Sequence, residues 1–241
     1  MFEKAKEKVL TETKEDSNKG IGTLSEKTLH RILKYYFEPF GDNHEIKIAN
    51  YFADIVGENG IIEIQTQSFN RLKSKLTQFL EVCAVTLVYP IAIRKKVIVI
   101  NENGEHIKSY TSPLKGSKYN LFDEIFYIKE LLTNKKLTIC LVLLNVTEYR
   151  TTEKKHKGRR KHEKLNTIPD ELVEEIYING ASGYKMFLSD NLPDGFVSRD
   201  LSNSAKIPLH RAQTMLNILT SIGTVERIGK SGNSYTYRTK E

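Results

Sequence analysis

The chain has 241 residues, a formal net charge of +7 and 39% hydrophobic residues. This length and hydrophobic content suit one large or two modest domains with packed cores and exclude a disordered protein. The basic surplus favours a polyanionic partner. No apolar run approaches the roughly 20 residues that span a bilayer, and the charged N-terminus lacks the apolar core of a signal peptide. We therefore expect a cytoplasmic protein without a membrane partner.

The first predicted element with a clear hydrophobic pattern is a helix from Glu26 to Phe37. Ser25 precedes it as a helix-capping residue, its apolar residues recur at helical spacing, and Pro39 follows its end. Upstream, residues 1–20 are charged and carry only a weak helical signal, which is typical of a mobile segment.

Two short strands joined by a tight turn follow this helix. Residues 47–56 and 61–66 are predicted strands, and Asn59-Gly60 supplies the positive backbone φ angles that a hairpin turn requires. Because side chains in a strand alternate between faces, Glu63 and Gln65 share one face of the second strand, and its isoleucines share the other.

Asp54 and Glu63 are the candidate metal ligands of this hairpin. Asp54 lies near the end of the first strand and Glu63 lies in the second, so that two carboxylates on adjacent strands can share a divalent cation. Hard cations such as magnesium take oxygen ligands of this kind. The alternative interpretation is that both are ordinary polar residues close to a hairpin.

Further predicted elements complete an N-terminal domain. Helices are predicted over 69–83 and 121–132, and strands over 85–89, 91–100, 105–110 and 137–146. The uninterrupted apolar run at 85–89 is typical of a buried central strand. The order of these elements predicts the α/β class, with a mixed central sheet flanked by helices.

A basic segment separates this domain from the rest of the chain. Residues 150–164 are rich in lysine and arginine and contain no apolar residue, which predicts a solvated linker. The linker divides the chain into an N-terminal domain over 1–149 and a C-terminal domain over 165–241. A plain linker and an arm that contacts phosphate groups are both open interpretations of this segment.

The C-terminal domain is predicted to begin with a helix at Ile168-Pro169-Asp170. A short helix over 199–205, a longer helix over 208–221 ended by Gly223, and a hairpin with a basic glycine turn follow. This order and spacing resemble a winged helix-turn-helix domain. The resemblance implies that the domain recognises duplex DNA through its longer helix.

The resemblance to winged helices also implies which residues contact DNA. The longer helix buries its leucine-bearing side and presents outward His210, Arg211, Gln213, Thr214 and Asn217. Arginine, glutamine and asparagine side chains can form paired hydrogen bonds with base edges. Arg227 and Lys230 of the hairpin, the wing, can meet phosphates. Protein docking is the alternative, since winged helices also serve that purpose.

The N-terminal domain resembles the PD-(D/E)XK, or restriction-endonuclease-like, nuclease superfamily. The matching residues are Asp54, then Glu63-Ile64-Gln65 after eight intervening residues, with a helix before and a helix after. The resemblance implies that Asp54, Glu63 and the carbonyl oxygen of Ile64 bind Mg²⁺ or Mn²⁺. It implies that the ion activates water and stabilises charge on the scissile phosphate. Glu26 matches the position of a further acid that some members carry.

One position departs from the superfamily pattern. Gln65 stands where the superfamily has a lysine that orients or deprotonates the attacking water, and glutamine supplies hydrogen bonds but no positive charge. Some members take the lysine from the following helix, where Lys73 and Lys75 are candidates. Lys73 is nearer in sequence, so the expected catalytic set is Asp54, Glu63, Gln65 and Lys73.

These patterns predict a metal-dependent DNA endonuclease of the restriction or defence type, which hydrolyses phosphodiester bonds in double-stranded DNA. Cutting both strands of a duplex usually needs two active sites, so we expect a homodimer. The alternative, which Gln65 favours, is a catalytically inactive nuclease-fold DNA-binding protein or transcriptional regulator. A third possibility is that the C-terminal domain docks a protein while the N-terminal domain handles RNA.

Overall fold

The computed structural model describes residues 1–15, 25–101, 103–154 and 160–240. The α-helices are α1 (Phe2–Glu15), α2 (Ser25–Phe37), α3 (Lys73–Val82), α4 (Leu121–Ile125), α5 (Gly180–Gly183), α6 (Ser198–Ala205) and α7 (Leu209–Ser221). The strands are β1 (His44–Ile48), β2 (Tyr51–Gly57), β3 (Gly60–Ile64), β4 (Val85–Ile100), β5 (His106–Thr111), β6 (Leu137–Lys154), β7 (Arg160–Asn179), β8 (Val225–Ser231) and β9 (Ser234–Thr239). Short 3₁₀ segments cover Gly41–Asn43, Phe69–Arg71, Lys118–Asn120, Phe126–Leu131 and Tyr184–Phe187.

Strands β1 to β7 form one mixed sheet in the order β1-β2-β3-β4-β6-β7, with β5 paired to β4. The neighbours β3, β4 and β6 run parallel, whereas β1, β2, β5 and β7 each run antiparallel to the strand they join. The apolar stretches that open β4 and β6 place them in the middle of the sheet, because a strand covered on both faces requires apolar residues on both.

Helices cover both faces of this sheet. On one face, α1 and α2 bury Val9, Ile32 and Leu33 against sheet residues that include Val88 and Cys140. The other face packs against α3, α4 and the C-terminal residues. The predicted α/β class, with a mixed sheet flanked by helices, is therefore confirmed. None of the described helices has both the length and the apolar character needed to cross a membrane.

The N-terminal segment is more ordered than its composition predicts. Phe2, Ala5 and Val9 of α1 are buried, and Arg31 of α2 donates a 2.7 Å hydrogen bond to Glu12 of α1. The three apolar residues recur at helical spacing, so one stripe of an otherwise charged helix packs against α2. The expectation of a mobile segment is thus wrong for residues 1–15, and residues 16–20 lie outside the described part of the chain.

Both ends of the predicted basic linker are part of the sheet. Residues 150–154 belong to β6 and residues 160–164 to β7, and the two strands pair from Thr138 with Asn179 to Lys154 with Arg160. Residues 155–159, between the strands, lie outside the described part of the chain. The domain boundary expected at 150–164 is therefore wrong.

The helix predicted from Ile168 is also wrong, because that residue lies within β7. Three irregularities interrupt the register between β6 and β7. Each one shifts the alternation of apolar residues, so Leu165, Ile168, Leu172 and Ile176 imitate the spacing of a helix. Pro169 is tolerated because β7 is an edge strand of the sheet.

The C-terminal residues form two helices and a two-stranded hairpin. The helices α6 and α7 and the strands β8 and β9 confirm the elements predicted between 199 and 238. Phe196 pairs with Tyr237 beside the hairpin. Apolar residues of α7, such as Leu216, belong to the same buried cluster as Phe122 of α4 and Leu87 of β4. The C-terminal elements therefore share a core with the large sheet.

Candidate active site

The acid pair lies where β2 and β3 stop pairing. Their regular ladder covers Ile55–Gly57 and Gly60–Ile62. Next to it, Asp54 Oδ2 accepts a 2.7 Å hydrogen bond from the backbone amide of Ile64, and the backbone amide of Asp54 donates to Glu63 Oε2 at 3.4 Å. Asp54 is 7% exposed and Glu63 is 3% exposed. The two predicted ligands thus meet in a buried gap between the strands.

Each carboxylate contacts a basic side chain from a different helix. His30 Nε2 of α2 lies 3.0 Å from Asp54 Oδ2, and the Lys75 ammonium of α3 donates to Glu63 Oε1. Because α2 and α3 cover opposite faces of the sheet, these partners approach the pair from opposite sides. The sequence prediction missed His30, although its position three residues before the buried Leu33 places it on the sheet side of α2.

Lys75, and not Lys73, brings positive charge to the acid pair. Lys73 Nζ lies 3.1 Å from Glu130 Oε2, and its side chain is 48% exposed. The two lysines are two positions apart, which turns them about 200° around the helix axis and places them on opposite sides of α3. The choice of Lys73 as the catalytic lysine is corrected accordingly.

The structure describes the side chain of Gln65, but not that of Glu26. Gln65 follows Glu63 in the chain by two residues, and its side-chain amide donates to the carbonyl oxygen of Gln67. Its backbone amide donates to the carbonyl oxygen of Val88 at 2.9 Å, which ties the end of β3 to β4. The expected role of Glu26 concerns a side chain outside the described part of the chain.

The pair combines one strongly acidic carboxylate with one weakly acidic carboxylate. Burial and then the charge of Asp54 raise the pKa of Glu63 to about 7, although Lys75 acts in the opposite direction. Burial also acts to raise the pKa of Asp54, but the hydrogen bond and charge of His30, together with the Ile64 amide, lower it overall. Asp54 therefore holds the negative charge, and Glu63 changes protonation near neutral pH.

This donor set fits a hard divalent cation. The two carboxylates and the carbonyl oxygen of Ile64 are the oxygen ligands that Mg²⁺ and Mn²⁺ take. Within the described ranges, no group of three or more His, Cys, Asp or Glu side chains could hold a metal ion, so such an ion would keep several water ligands, as Mg²⁺ usually does. A cation would also offset the repulsion that raises the pKa of Glu63.

The protonation of Glu63 makes the stability of the protein depend on pH. Its pKa of about 7 in the folded chain exceeds the ordinary value of 4.5, so folding favours the protonated form. The resulting stabilisation is complete below the ordinary pKa and is lost as the pH rises through about 7. We expect the free energy of unfolding in chelator to fall by about 3 kcal/mol across this range. Urea denaturation at stepped pH measures this fall.

The control is the Glu63→Gln variant, which has no carboxyl group to titrate at this position. Its free energy of unfolding should change less than that of the native protein over the same range. Equal slopes in the two proteins would contradict the assignment of the raised pKa to Glu63.

The predicted DNA-contacting residues of α7 divide into two sets. Arg211 forms a two-pronged ion pair with Asp123 of α4, at 3.0 and 2.7 Å, and Asn217 accepts a 3.2 Å hydrogen bond from Lys129. These two residues attach α7 to the rest of the fold. His210 and Gln213 are exposed, and Thr214 is half-buried with its hydroxyl donating to the carbonyl oxygen of His210 at 3.1 Å.

The basic residues of the β8–β9 hairpin are exposed. The Arg227 guanidinium lies 3.6 Å from the centre of the Tyr235 ring, and Lys230 Nζ lies 4.8 Å from the same centre. A cation held over an aromatic face keeps its charge while its position is restricted. Two cations are thus presented together at the surface of the hairpin.

The fold and site define an α/β protein with a buried acid pair between two helices. The chain belongs to the family described as "Domain of unknown function (DUF8091)", whose model matches residues 27–179. It is 30% identical over 223 residues to a protein of Treponema pallidum (strain Nichols) described as "Uncharacterized protein", with 90% of this chain and 87% of that one covered. No solved structure matches the chain significantly. The family match includes the acid pair and ends with the last residue of β7.

Proposed function

We propose that this protein is a metal-dependent DNA endonuclease that hydrolyses phosphodiester bonds at the acid pair. The observation that carries the proposal is the meeting of Asp54 and Glu63 in a buried gap, with the Lys75 ammonium on Glu63. Two carboxylates and a lysine are the groups that the PD-(D/E)XK resemblance requires. The lysine comes from α3, which supplies the positive charge that Gln65 lacks.

Asp54, Glu63 and the carbonyl oxygen of Ile64 would hold the metal ion. When bound, Mg²⁺ or Mn²⁺ supplies a water of lowered pKa and stabilises negative charge on the phosphate. His30 fixes one oxygen of Asp54 from the side of α2, which restricts the orientation of that carboxylate. Burial of both acids places them in surroundings of low dielectric constant, which strengthens their attraction for a cation.

Lys75 would act on the attacking water and on the phosphate. Its side chain is 18% exposed, so the ammonium can face an incoming substrate while contacting Glu63. An ammonium group has three donors and a full charge, which allows it to orient a water and to stabilise a phosphate oxygen. Gln65, at the end of β3, would contribute hydrogen bonds but no charge.

Binding of double-stranded DNA would rest on the C-terminal elements, which we assign as a winged helix. His210, Gln213 and Thr214 remain for contacts in a groove, and the exposed cations Arg227 and Lys230 would contact phosphates. Arg211 and Asn217, whose contacts hold α7 to the fold, are assigned to docking. We propose a cytoplasmic homodimer of the restriction or defence type, since two active sites would cut the two strands.

The test is cleavage of supercoiled plasmid by the full chain in Mg²⁺, in Mn²⁺ and in chelator. We expect nicked and linear products with either metal and intact plasmid in chelator, because the acid pair alone does not stabilise an anionic transition state. A gel-shift assay on the same DNA is the companion measurement. Binding without cleavage in any metal would overturn the nuclease proposal and support the inactive DNA-binding alternative.

A further inference from the structure

A cavity opens beside the acid pair. It has a volume of about 170 Å³, and its wall includes Thr66 and Gln67, which follow β3, and Leu29, which precedes His30 in α2. Thr66 is three positions after Glu63 in the chain, so their Cα atoms are at most roughly 10 Å apart. The cavity is therefore next to the place where the proposed reaction would bind the scissile phosphate.

The cavity has an aliphatic floor and a polar margin. The floor consists of the side chains of Leu29, Pro90, Ala92, Leu144 and Val146. The margin includes Lys95, Glu148, Lys164 and Thr167. The volume is below the roughly 300–1,000 Å³ of pockets for drug-sized ligands, so it suits a single flat ring system with a hydrogen-bonding edge.

The margin carries a net positive charge. Glu148 is 4% exposed and accepts ion pairs from Lys95 at 3.0 Å and Arg150 at 2.5 Å. Among the described residues of the cavity wall, Lys95 and the exposed Lys164 carry positive charge and Glu148 carries negative charge, which leaves one positive charge. A polar group without a partner lies in the same wall, because the hydroxyl of Thr167, 6% exposed, has no hydrogen-bond partner among the described residues.

We propose that this cavity receives the base of a nucleotide next to the scissile phosphate, turned out of the DNA stack. This inference rests on the proposed nuclease function. The faces of the base would lie on the aliphatic floor, its polar edge would meet Glu148 and Thr167, and Lys95 and Lys164 would attract its phosphates. Two lysines and a carboxylate in the same margin match a ligand that is anionic at its backbone and carries donors on its base.

The proposal identifies a substrate class. A base must leave the stack to enter the cavity, and extrusion costs least where the base is mismatched or unpaired. We therefore expect the protein to prefer DNA with a mismatched or unpaired base beside the cut over the matched duplex. The preference should appear in binding as well as in cleavage, since extrusion occurs before the chemical step.

The experiment uses the full-length Glu63→Gln protein, so that cleavage does not obscure binding. The probe is a short duplex with 2-aminopurine in a mismatch, whose fluorescence rises when the base leaves the stack. None of the described residues in the cavity wall has an aromatic side chain that would quench this fluorescence. We expect a several-fold rise on binding, which Ala92→Phe abolishes by filling the cavity. Ala84→Phe, which adds the same ring at an exposed position, should keep the rise.

Thr167→Val is the second variant. It removes the hydroxyl at nearly constant side-chain volume, so it avoids the risk that a large added ring, as in Ala92→Phe, disturbs folding. It should reduce the rise while anisotropy still reports binding of the DNA. Binding without a rise, or equal signals from Ala92→Phe and Ala84→Phe, would overturn the base pocket. Failure of the native protein to cleave plasmid, with a rise that Ala92→Phe still abolishes, would overturn the nuclease and support the pocket.

Discussion

Replacing Glu63 with glutamine is expected to reduce metal-dependent cleavage of plasmid DNA by on the order of a thousandfold or more, about 4 kcal/mol of transition-state stabilisation. The substitution keeps the volume of the side chain but removes the charge that a divalent cation requires. Asp54 then remains as the single carboxylate at the gap between β2 and β3. Plasmid nicking followed over time in Mg²⁺ and in Mn²⁺ measures the loss.

Glu130→Gln is the matched control for this substitution. It makes the same chemical change at Glu130, the exposed partner of Lys73, which has no assigned role at the acid pair. We expect cleavage at the native rate from this variant and an unchanged gel shift from both variants. Native cleavage by Glu63→Gln would contradict the assignment of the active site to the acid pair.

The second large effect concerns the two lysines of α3. Lys75→Ala should lower the cleavage rate by on the order of a hundredfold, because a preorganised donor is lost at the phosphate. It should also destabilise the fold by about 2 kcal/mol, because the buried carboxylate of Glu63 loses its ion-pair partner. Lys73→Ala should leave both quantities nearly unchanged, since exposed ion pairs contribute little. Cleavage kinetics and urea denaturation compare the two variants.

The pH profile separates a catalytic role of Lys75 from a structural one. Lys75 acts to lower the pKa of Glu63, so its removal should raise that pKa above about 7 and move the acidic limb of the activity profile to higher pH. Lys73→Ala should keep the native profile. A larger loss of cleavage from Lys73→Ala than from Lys75→Ala would contradict the assignment of Lys75 and support Lys73 as the catalytic lysine.

Local signals predicted the elements that surround the site. The hairpin of β2 and β3 was predicted correctly, but its turn residues are Glu58 and Asn59, and Gly60, at a positive φ of 110°, already pairs with Gly57. The apolar periodicity of α2 and α3 predicted the helices on either side. Within the hairpin, alternation predicted that Glu63 and the isoleucines lie on opposite faces of the strand, and the structure places Glu63 beside Asp54. Asp54 was predicted from its place near the end of the adjacent strand, and its spacing to Glu63 also matches the superfamily pattern.

The partners of the acid pair depend on tertiary packing that no local pattern contains. His30 is one polar residue on an amphipathic helix, and only the placement of α2 over the sheet brings it to Asp54. Sequence distance favoured Lys73 over Lys75, but the rotation of α3 about its own axis decides which lysine faces the pair. That rotation is set by the burial of Leu76, Phe79 and Leu80.

The C-terminal half shows a different limit. Register irregularities between β6 and β7 changed the alternation of apolar residues, so that an edge strand had the period of a helix. At residues 150–164 the composition was misleading in another way. The continuous basic run predicted a solvated linker, whereas residues 150–154 and 160–164 are paired strand ends. Similarly, His210 and Gln213 of α7 are exposed as predicted, but Arg211, predicted to face outward, forms an ion pair with Asp123, 88 positions away in the chain.

Strand β7 also decides where the chain can be divided. Residues 166–179 of β7 pair with residues 138–149 of β6, so a fragment ending at the basic segment would leave one edge of β6 unpaired, while its other edge would still pair with β4. That open edge would present free backbone donors and acceptors beside apolar side chains such as Leu141 and Leu143, which is the arrangement that causes strands of different molecules to associate. In the intact chain, β7 covers this edge of β6 and thereby protects the protein from aggregation through it.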